Sequence, residues 1–212
     1  MNFYSVCIGE VGAGKSSFIN SVLKYGKKDI SCKVGTHWQG VTKNIEIFSI
    51  NEGGYNIYFI DTPGLNKANV DEDIKKMLKN ELSQKKDNKY KINCILIIMK
   101  VMDYGLTNGI QQMIIELMNW FPFPNFWDHI LIIRTHCFNQ SLINNIKGNF
   151  ENIIKNDEII KNKMQEKRIR FPKHILEFYV NSVDENYNSD SYEISEIIRS
   201  IKYNAPLGID YL

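Results

Sequence analysis

The sequence is poor in the features that would send a chain outside the cell or into a membrane. Its four cysteines, Cys7, Cys32, Cys94 and Cys137, lie far apart, with no C-x-x-C pair and no zinc spacing. That excludes a disulfide framework and a zinc module, and it fits buried thiols in a reducing compartment. Met1-Asn2-Phe3 leads straight into a strand pattern, so no signal peptide is read there. Residue 2 is not glycine, and Asp210-Tyr211-Leu212 offers no prenylation cysteine. The longest apolar run, around Ile95–Met99, is far too short to cross a bilayer. The expectation is a cytoplasmic protein.

Charge of one sign is lacking too. Twenty-six Lys and Arg oppose 24 Asp and Glu, and no dense basic block stands out, so no nucleic-acid partner is expected. Repeats and linkers are absent. With 212 residues and 43% hydrophobic content, the chain is long and apolar enough for one domain with a real core, read as 1–212.

What is present is an alternation of apolar runs and helical periodicities. Phe3–Gly9 reads as a strand, followed from about Lys15 by a helix with Phe18, Ile19, Val22 and Leu23 as its stripe. Residues 26–42 look irregular. Lys43–Asn51 and Tyr55–Asp61 flank Gly53-Gly54 and predict an antiparallel hairpin. A helix is expected at about 70–85. Ile92–Met99 is nearly all apolar, as a central parallel strand would be. Ile110, Met113, Ile114, Leu117 and Met118 predict a helix, Ile130–Arg134 a strand, and about 140–166 one long helical stretch. His174–Val180 and the stripe Ile194, Ile197, Ile198 and Ile201 close the chain. The fold class is therefore a three-layer α/β sandwich: a mostly parallel six-stranded sheet with one antiparallel strand, and helices on both faces.

Two motifs carry chemistry. Gly9-Glu10-Val11-Gly12-Ala13-Gly14-Lys15-Ser16 fits G-x-x-x-x-G-K-S/T, between a strand and a helix. Chance would produce this pattern in only ~1% of chains of such length. Its glycines let backbone N–H groups wrap a phosphate, and the helix N-terminus adds positive potential. Glu10, Val11, Gly12, Ala13, Gly14, Lys15, Ser16 and Ser17 are thus the expected phosphate-side residues. Lys15 neutralises phosphate charge and Ser16 offers a hydroxyl to Mg²⁺. Asp61-Thr62-Pro63-Gly64 follows 45 residues after Ser16, at the end of a strand. Asp61 is the second expected metal-side group, and the Gly64 N–H is placed to meet the γ-phosphate. A threonine between the motifs should close over both; Thr36 and Thr42 are the candidates, with Thr42 preferred because a strand follows it.

Gly9–Ser16, Val41-Thr42 and Asp61-Thr62-Pro63-Gly64-Leu65 resemble the motifs of the immunity-associated (GIMAP or AIG-type) GTPases of the septin-related class. Arg134-Thr135-His136 and Val180-Asn181-Ser182 resemble the base motifs of the chloroplast import-receptor GTPases. The resemblance implies an AIG-type G domain that binds GTP/GDP with Mg²⁺. It also implies catalytic roles for Lys15, Thr42 and Gly64, metal ligation through Ser16, Thr42 and Asp61, and base contacts from His136, Asn181 and Ser182. The chain departs from ordinary guanine sites, since Phe138 stands where N/T-K-x-D has its Asp. Backbone carbonyls, Glu177 or Asp184 are the alternative acceptors. His136 also reads as a strand-end histidine, and Asn181 as a turn residue.

Leu65 stands where small GTPases carry a water-orienting Gln, so hydrolysis is expected at or below roughly 10⁻³ s⁻¹. The family offsets this by pairing nucleotide faces, which implies a nucleotide-dependent homodimer around Trp38, Thr42 and Leu65. Lys100 is the only cation near the position of a donated arginine, and it reads better as a solvated strand-end lysine. Trp120–Trp127 is an aromatic connector, either a partner surface or a core cap. Peripheral membrane association and the effector stay open. The competing functions are a non-hydrolysing nucleotide-bound scaffold and a P-loop small-molecule kinase; the latter would need an arginine-rich lid.

Lys15→Ala and Ser16→Asn are each expected to abolish Mg²⁺-nucleotide binding with the fold intact. Calorimetry showing unchanged affinity in both would remove the nucleotide reading.

Overall fold

The computed structural model describes residues 1–33, 44–64, 76, 78, 92–103, 105–137, 140–146, 149–181 and 190–204. The strands among them are β1 (Asn2–Ile8), β2 (Glu46–Glu52), β3 (Tyr55–Asp61), β4 (Ile92–Lys100), β5 (Ile130–Thr135) and β6 (Leu176–Tyr179). The helices are α1 (Lys15–Tyr25), α2 (Asn108–Trp120), α3 (Gln140–Ile146), α4 (Phe150–Asn156), α5 (Glu158–Glu166) and α6 (Asp190–Asn204). The sheet runs β2-β3-β1-β4-β5-β6. β2 is antiparallel to β3, and every other neighbouring pair is parallel. Of the helix expected at 70–85, only Lys76 and Leu78 are described, both helical.

Local chemistry explains these elements. The β2–β3 hairpin closes on Gly53 at φ 60° and Gly54 at φ 81°, the left-handed pair that a tight two-residue turn needs. β4 is buried on both faces from Ile92 to Met99, which is why its sequence does not alternate. One face of the sheet packs on α1 and α6 through Phe18, Val22, Ile194 and Ile198. The other packs on α2, α4 and α5 through Ile114, Leu117, Phe150 and Met164. The aromatic connector caps this second core: Trp120, Phe121, Phe126 and Trp127 are all buried in it.

The expected long helix at 140–166 is three helices. Asp157, at ψ 111°, steps out of helical geometry, and its carboxylate accepts the Ile160 N–H at 2.9 Å. Its other oxygen accepts from Gln111 Nε2 at 2.7 Å, docking α5 on α2.

A charged pair lies inside the fold near the C-terminal ends of β5 and β6. Arg134 is 1% exposed. Its Nη2 lies 3.4 Å from Glu177 Oε1, its Nη1 donates to Asp103 O at 2.8 Å, and its guanidinium sits over the Phe150 ring. Tyr179 Oη donates to the other Glu177 oxygen at 3.3 Å. Removing one partner of a buried pair strands the other charge. Glu177→Gln should therefore cost about 3 kcal/mol or more, and Arg134→Met combined with Glu177→Leu less than the two single changes together. Urea unfolding followed by circular dichroism measures both; additive losses would show the pair to be uncoupled.

Candidate functional site

The sheet order places a crevice at one point. β1 connects onward to the β2–β3 side, whereas its neighbour β4 connects to the β5 side. Ligands of open α/β sheets sit beyond the strand ends at such a reversal. The loop after β1 is Gly9–Gly14, and its start packs hard on β4. A side-chain carbon built on Gly9 would lie 2.2 Å from Ile98 O. Gly12 at φ 76° and Gly14 at φ 90° supply the left-handed turns that wrap the loop. Gly14 caps α1 with no side chain, so the N-terminus of the helix is left open to a ligand's charge.

Lys15 is 6% exposed, and its Nζ donates to Gly9 O at 3.1 Å and Glu10 O at 3.2 Å. Burial pulls its pKa below the ordinary lysine range, and the nearby Asp61 carboxylate acts the other way. Ser16 Oγ donates to Asp61 Oδ2 at 2.7 Å, which brings the two sequence motifs into contact. Thr62 Oγ1 donates to Cys7 O at 2.7 Å and fixes the β3 exit to β1. Gly64 lies against the loop: a side-chain carbon there would be 2.7 Å from Val11 Cα and 2.9 Å from Val11 N. Ser17 lies in the first turn of α1.

The base side is tied to the phosphate side by one hydroxyl. Thr135 Oγ1 donates to Ala13 O at 2.6 Å, across 122 residues of chain. With its proton spent there, its 3.0 Å contact to His136 Nδ1 makes that nitrogen the donor and leaves Nε2 an acceptor. His136 is half-buried with a left-handed backbone at φ 59°. Burial, then the Lys100 charge, lowers its pKa, with Asp103 opposing them, which favours the neutral ring. The β5–β6 register ends with Arg134 opposite Tyr179, so His136 and Asn181 each follow two residues later, just past the C-terminal ends of neighbouring strands. Lys100 reaches the loop as well, its Nζ 3.8 Å from a carbon built on Gly12.

Thr36, Trp38, Thr42, Leu65, Phe138, Ser182 and Asp184 lie outside the described residues. Of the alternative base acceptors, Glu177 is withdrawn: its carboxylate is committed to Arg134 and Tyr179. The sequence reading missed three contributors. Thr135 is the latch just described. Thr107 Oγ1 donates to Glu10 Oε1 at 3.3 Å, which sets that carboxylate at the N-terminus of α2. Arg134 holds Asp103 O beside the crevice. Only Thr135 had a sequence signal, its place in the T-H pair.

The arrangement fits an anionic ligand with a cation beside it. The loop presents left-handed glycines, a helix N-terminus capped by glycine and a buried ammonium, and Ser16 and Asp61 form an oxygen donor pair suited to a hard divalent cation. The family model of the 50S ribosome-binding GTPases matches residues 5–133. The chain belongs to that family. Its fold is that of a P-loop GTPase, and guanine nucleotides are what this fold binds. No curated protein matches it in sequence. Among solved structures it is similar to Toc33 from Arabidopsis thaliana. A dimerization-deficient mutant of Toc33 superposes with TM-score 0.69 at 19% identity, over 97% of this chain and 84% of that one. Toc33 in complex with Mg²⁺ and GMPPNP gives TM-score 0.68 at 19% identity, over 96% and 84%. Era in complex with MgGDPNP and a 16S ribosomal RNA segment gives 0.59 at 13%, over 98% and 58%.

The glycine contacts separate two substitutions in this GTPase. Gly64→Ala drives a methyl into Val11 backbone, and should cut nucleotide affinity about tenfold or more, the equivalent of ordinary overpacking. Gly109→Ala meets only the flexible end of Glu10, 1.9 Å away, and should leave affinity within about twofold. Titration calorimetry giving equal losses would refute the contact of Gly64 with the loop.

Proposed function

We propose that the chain, over 1–212, is a single AIG-type, septin-related G domain acting as a cytoplasmic GTP-dependent switch. It hydrolyses GTP slowly and pairs with a second copy through its nucleotide face. The observation that carries this reading is the 2.7 Å hydrogen bond from Ser16 to Asp61. It unites the phosphate loop with the segment that ends in Gly64, the pair through which a switch protein senses its γ-phosphate. Ser16, Asp61 and Thr42 would hold Mg²⁺, which supplies positive charge against the phosphates when bound. Lys15 and the loop amides bind and orient the phosphates. His136, with a neutral ring, gives guanine a flat partner, and Asn181 and Ser182 contact its edge.

Slow hydrolysis follows from Leu65, which cannot orient water, and from the apolar Val11 lying against Gly64. Toc33, with the same fold, is a protein for which a dimerization-deficient mutant has been described, which supports pairing as the remedy. Trp38, Thr42 and Leu65 would then line the contact.

The expected result is a monomer with GDP and a two-fold dimer with a non-hydrolysable GTP analogue, with turnover per subunit rising with protein concentration. GTP should bind more tightly than ATP, and His136→Ala should narrow the gap. Light scattering that gives one monomer mass with either nucleotide would exclude the dimer and favour the non-hydrolysing scaffold.

A further inference from the structure

A second concave site lies at the far end of α1 from the phosphate loop. A cavity of about 390 Å³ opens between the last turn of α1 and residues 27–31, and Lys24, Lys27 and Lys28 line it. No dense basic block is visible in the linear sequence, yet the turn gathers these lysines around the cavity, with Asp29 the one acid among the residues that line it. The turn is built, not loose. Lys28 N donates to Leu23 O at 2.9 Å and Lys27 N to Lys24 O at 3.0 Å, closing the helix as a left-handed stop. Glycine is the residue favoured at such a stop, but here Lys27 occupies it at φ 53°. On the other side Asn20 clamps residue 32 twice, Cys32 N donating to Oδ1 at 2.6 Å and Nδ2 donating to Cys32 O at 3.1 Å. Ile30, 56% exposed, belongs to the cavity wall among the lysines.

We propose that this cradle docks the chain on an anionic bilayer, with Lys24, Lys27 and Lys28 taking the phosphates of lipid headgroups and Ile30 entering the interface. Lysine is a point charge suited to phosphate, and each one near an anionic surface strengthens binding about fivefold. An aliphatic side chain amid those charges gains by burial at the acyl boundary. RNA is a poorer fit, because the wall has no aromatic to stack a base and no arginine to read one. The site goes beyond the nucleotide reading. The 11 residues of α1 span roughly 16 Å, about two Debye lengths at physiological salt, so the two anion sites differ in place and in charge environment.

The test is co-sedimentation of the chain with phosphatidylcholine vesicles, with and without phosphatidylinositol phosphate. Binding is expected only to the anionic vesicles, and it should weaken with salt. Lys27→Glu with Lys28→Glu should reduce it about tenfold or more, and the uncharged change Ile30→Ser should reduce it while leaving binding of soluble inositol phosphate unchanged. Thermal unfolding and GTP-analogue affinity of the variants, unchanged from the parent, separate this site from the nucleotide site and from misfolding. Equal sedimentation with both vesicle types overturns the proposal. So does equal vesicle binding by all variants, or soluble inositol phosphate bound as tightly as vesicles, which would make this a free-phosphate site. Single-stranded RNA bound in preference to vesicles, and lost with the two lysines, would overturn it in favour of a nucleic-acid site.

Discussion

The hydrogen bond between Ser16 and Asp61 is the constraint on which the rest of the site depends. It can form only if β3 ends level with the first turn of α1, and that requires β1 and β3 to be parallel and in register, with Cys7 opposite Asp61. Thr62 then locks the β3 exit to Cys7, and Gly64 can come down on Val11 because it has no side chain to hold it off. Each of these contacts assumes the one before it. A slip of one residue between β1 and β3 would turn every β3 side chain to the opposite face and take Asp61 out of reach of Ser16.

Burial of Lys15 sets the electrostatic character of the crevice. A nearly solvent-free ammonium is costly unless its three protons are satisfied and an opposite charge stands near. The carbonyls of Gly9 and Glu10 and the charge of Asp61 provide part of that compensation. A bound polyphosphate would provide the remainder, so ligand binding and loop stability are linked. Thr135 extends the linkage: by donating to Ala13 O it lets the loop conformation bear directly on the tautomer and placement of His136. One hydroxyl thereby ties the phosphate loop to the end of β5.

How much of this was legible depended on the range of the interaction. The hairpin, the central strand and the phosphate loop were readable because Gly53-Gly54, the Ile92–Met99 run and the G-K-S pattern each act within a few residues. The break at Asp157 was not, because no proline or glycine stands between Asn149 and Glu166 to mark a stop. Its cause is a side chain that satisfies a backbone amide, which periodicity does not register. The burial of Arg134 was hidden for another reason: its partners Asp103, Phe150 and Glu177 come from three separate parts of the chain. The same burial removed Glu177 from the possible base contacts, a choice that residue type alone could not make.

The architecture also explains how one helix serves two anion sites of unlike chemistry. At its N-terminus, α1 offers backbone amides and the positive end of its dipole, with Lys15 and Ser16 in its first turn. At its C-terminus the dipole is negative and its last carbonyls are already bonded in the left-handed stop, so only side chains can attract an anion there. That is why the far site is built from lysines on a turn, exposed and salt-sensitive, whereas the near site is buried and backbone-made. Salt screens the exposed charges of the far turn over a distance shorter than the length of α1. The Asn20–Cys32 clamp belongs to the wall of the far site and holds the chain just before residues 34–43, the segment that carries Thr36, Trp38 and Thr42.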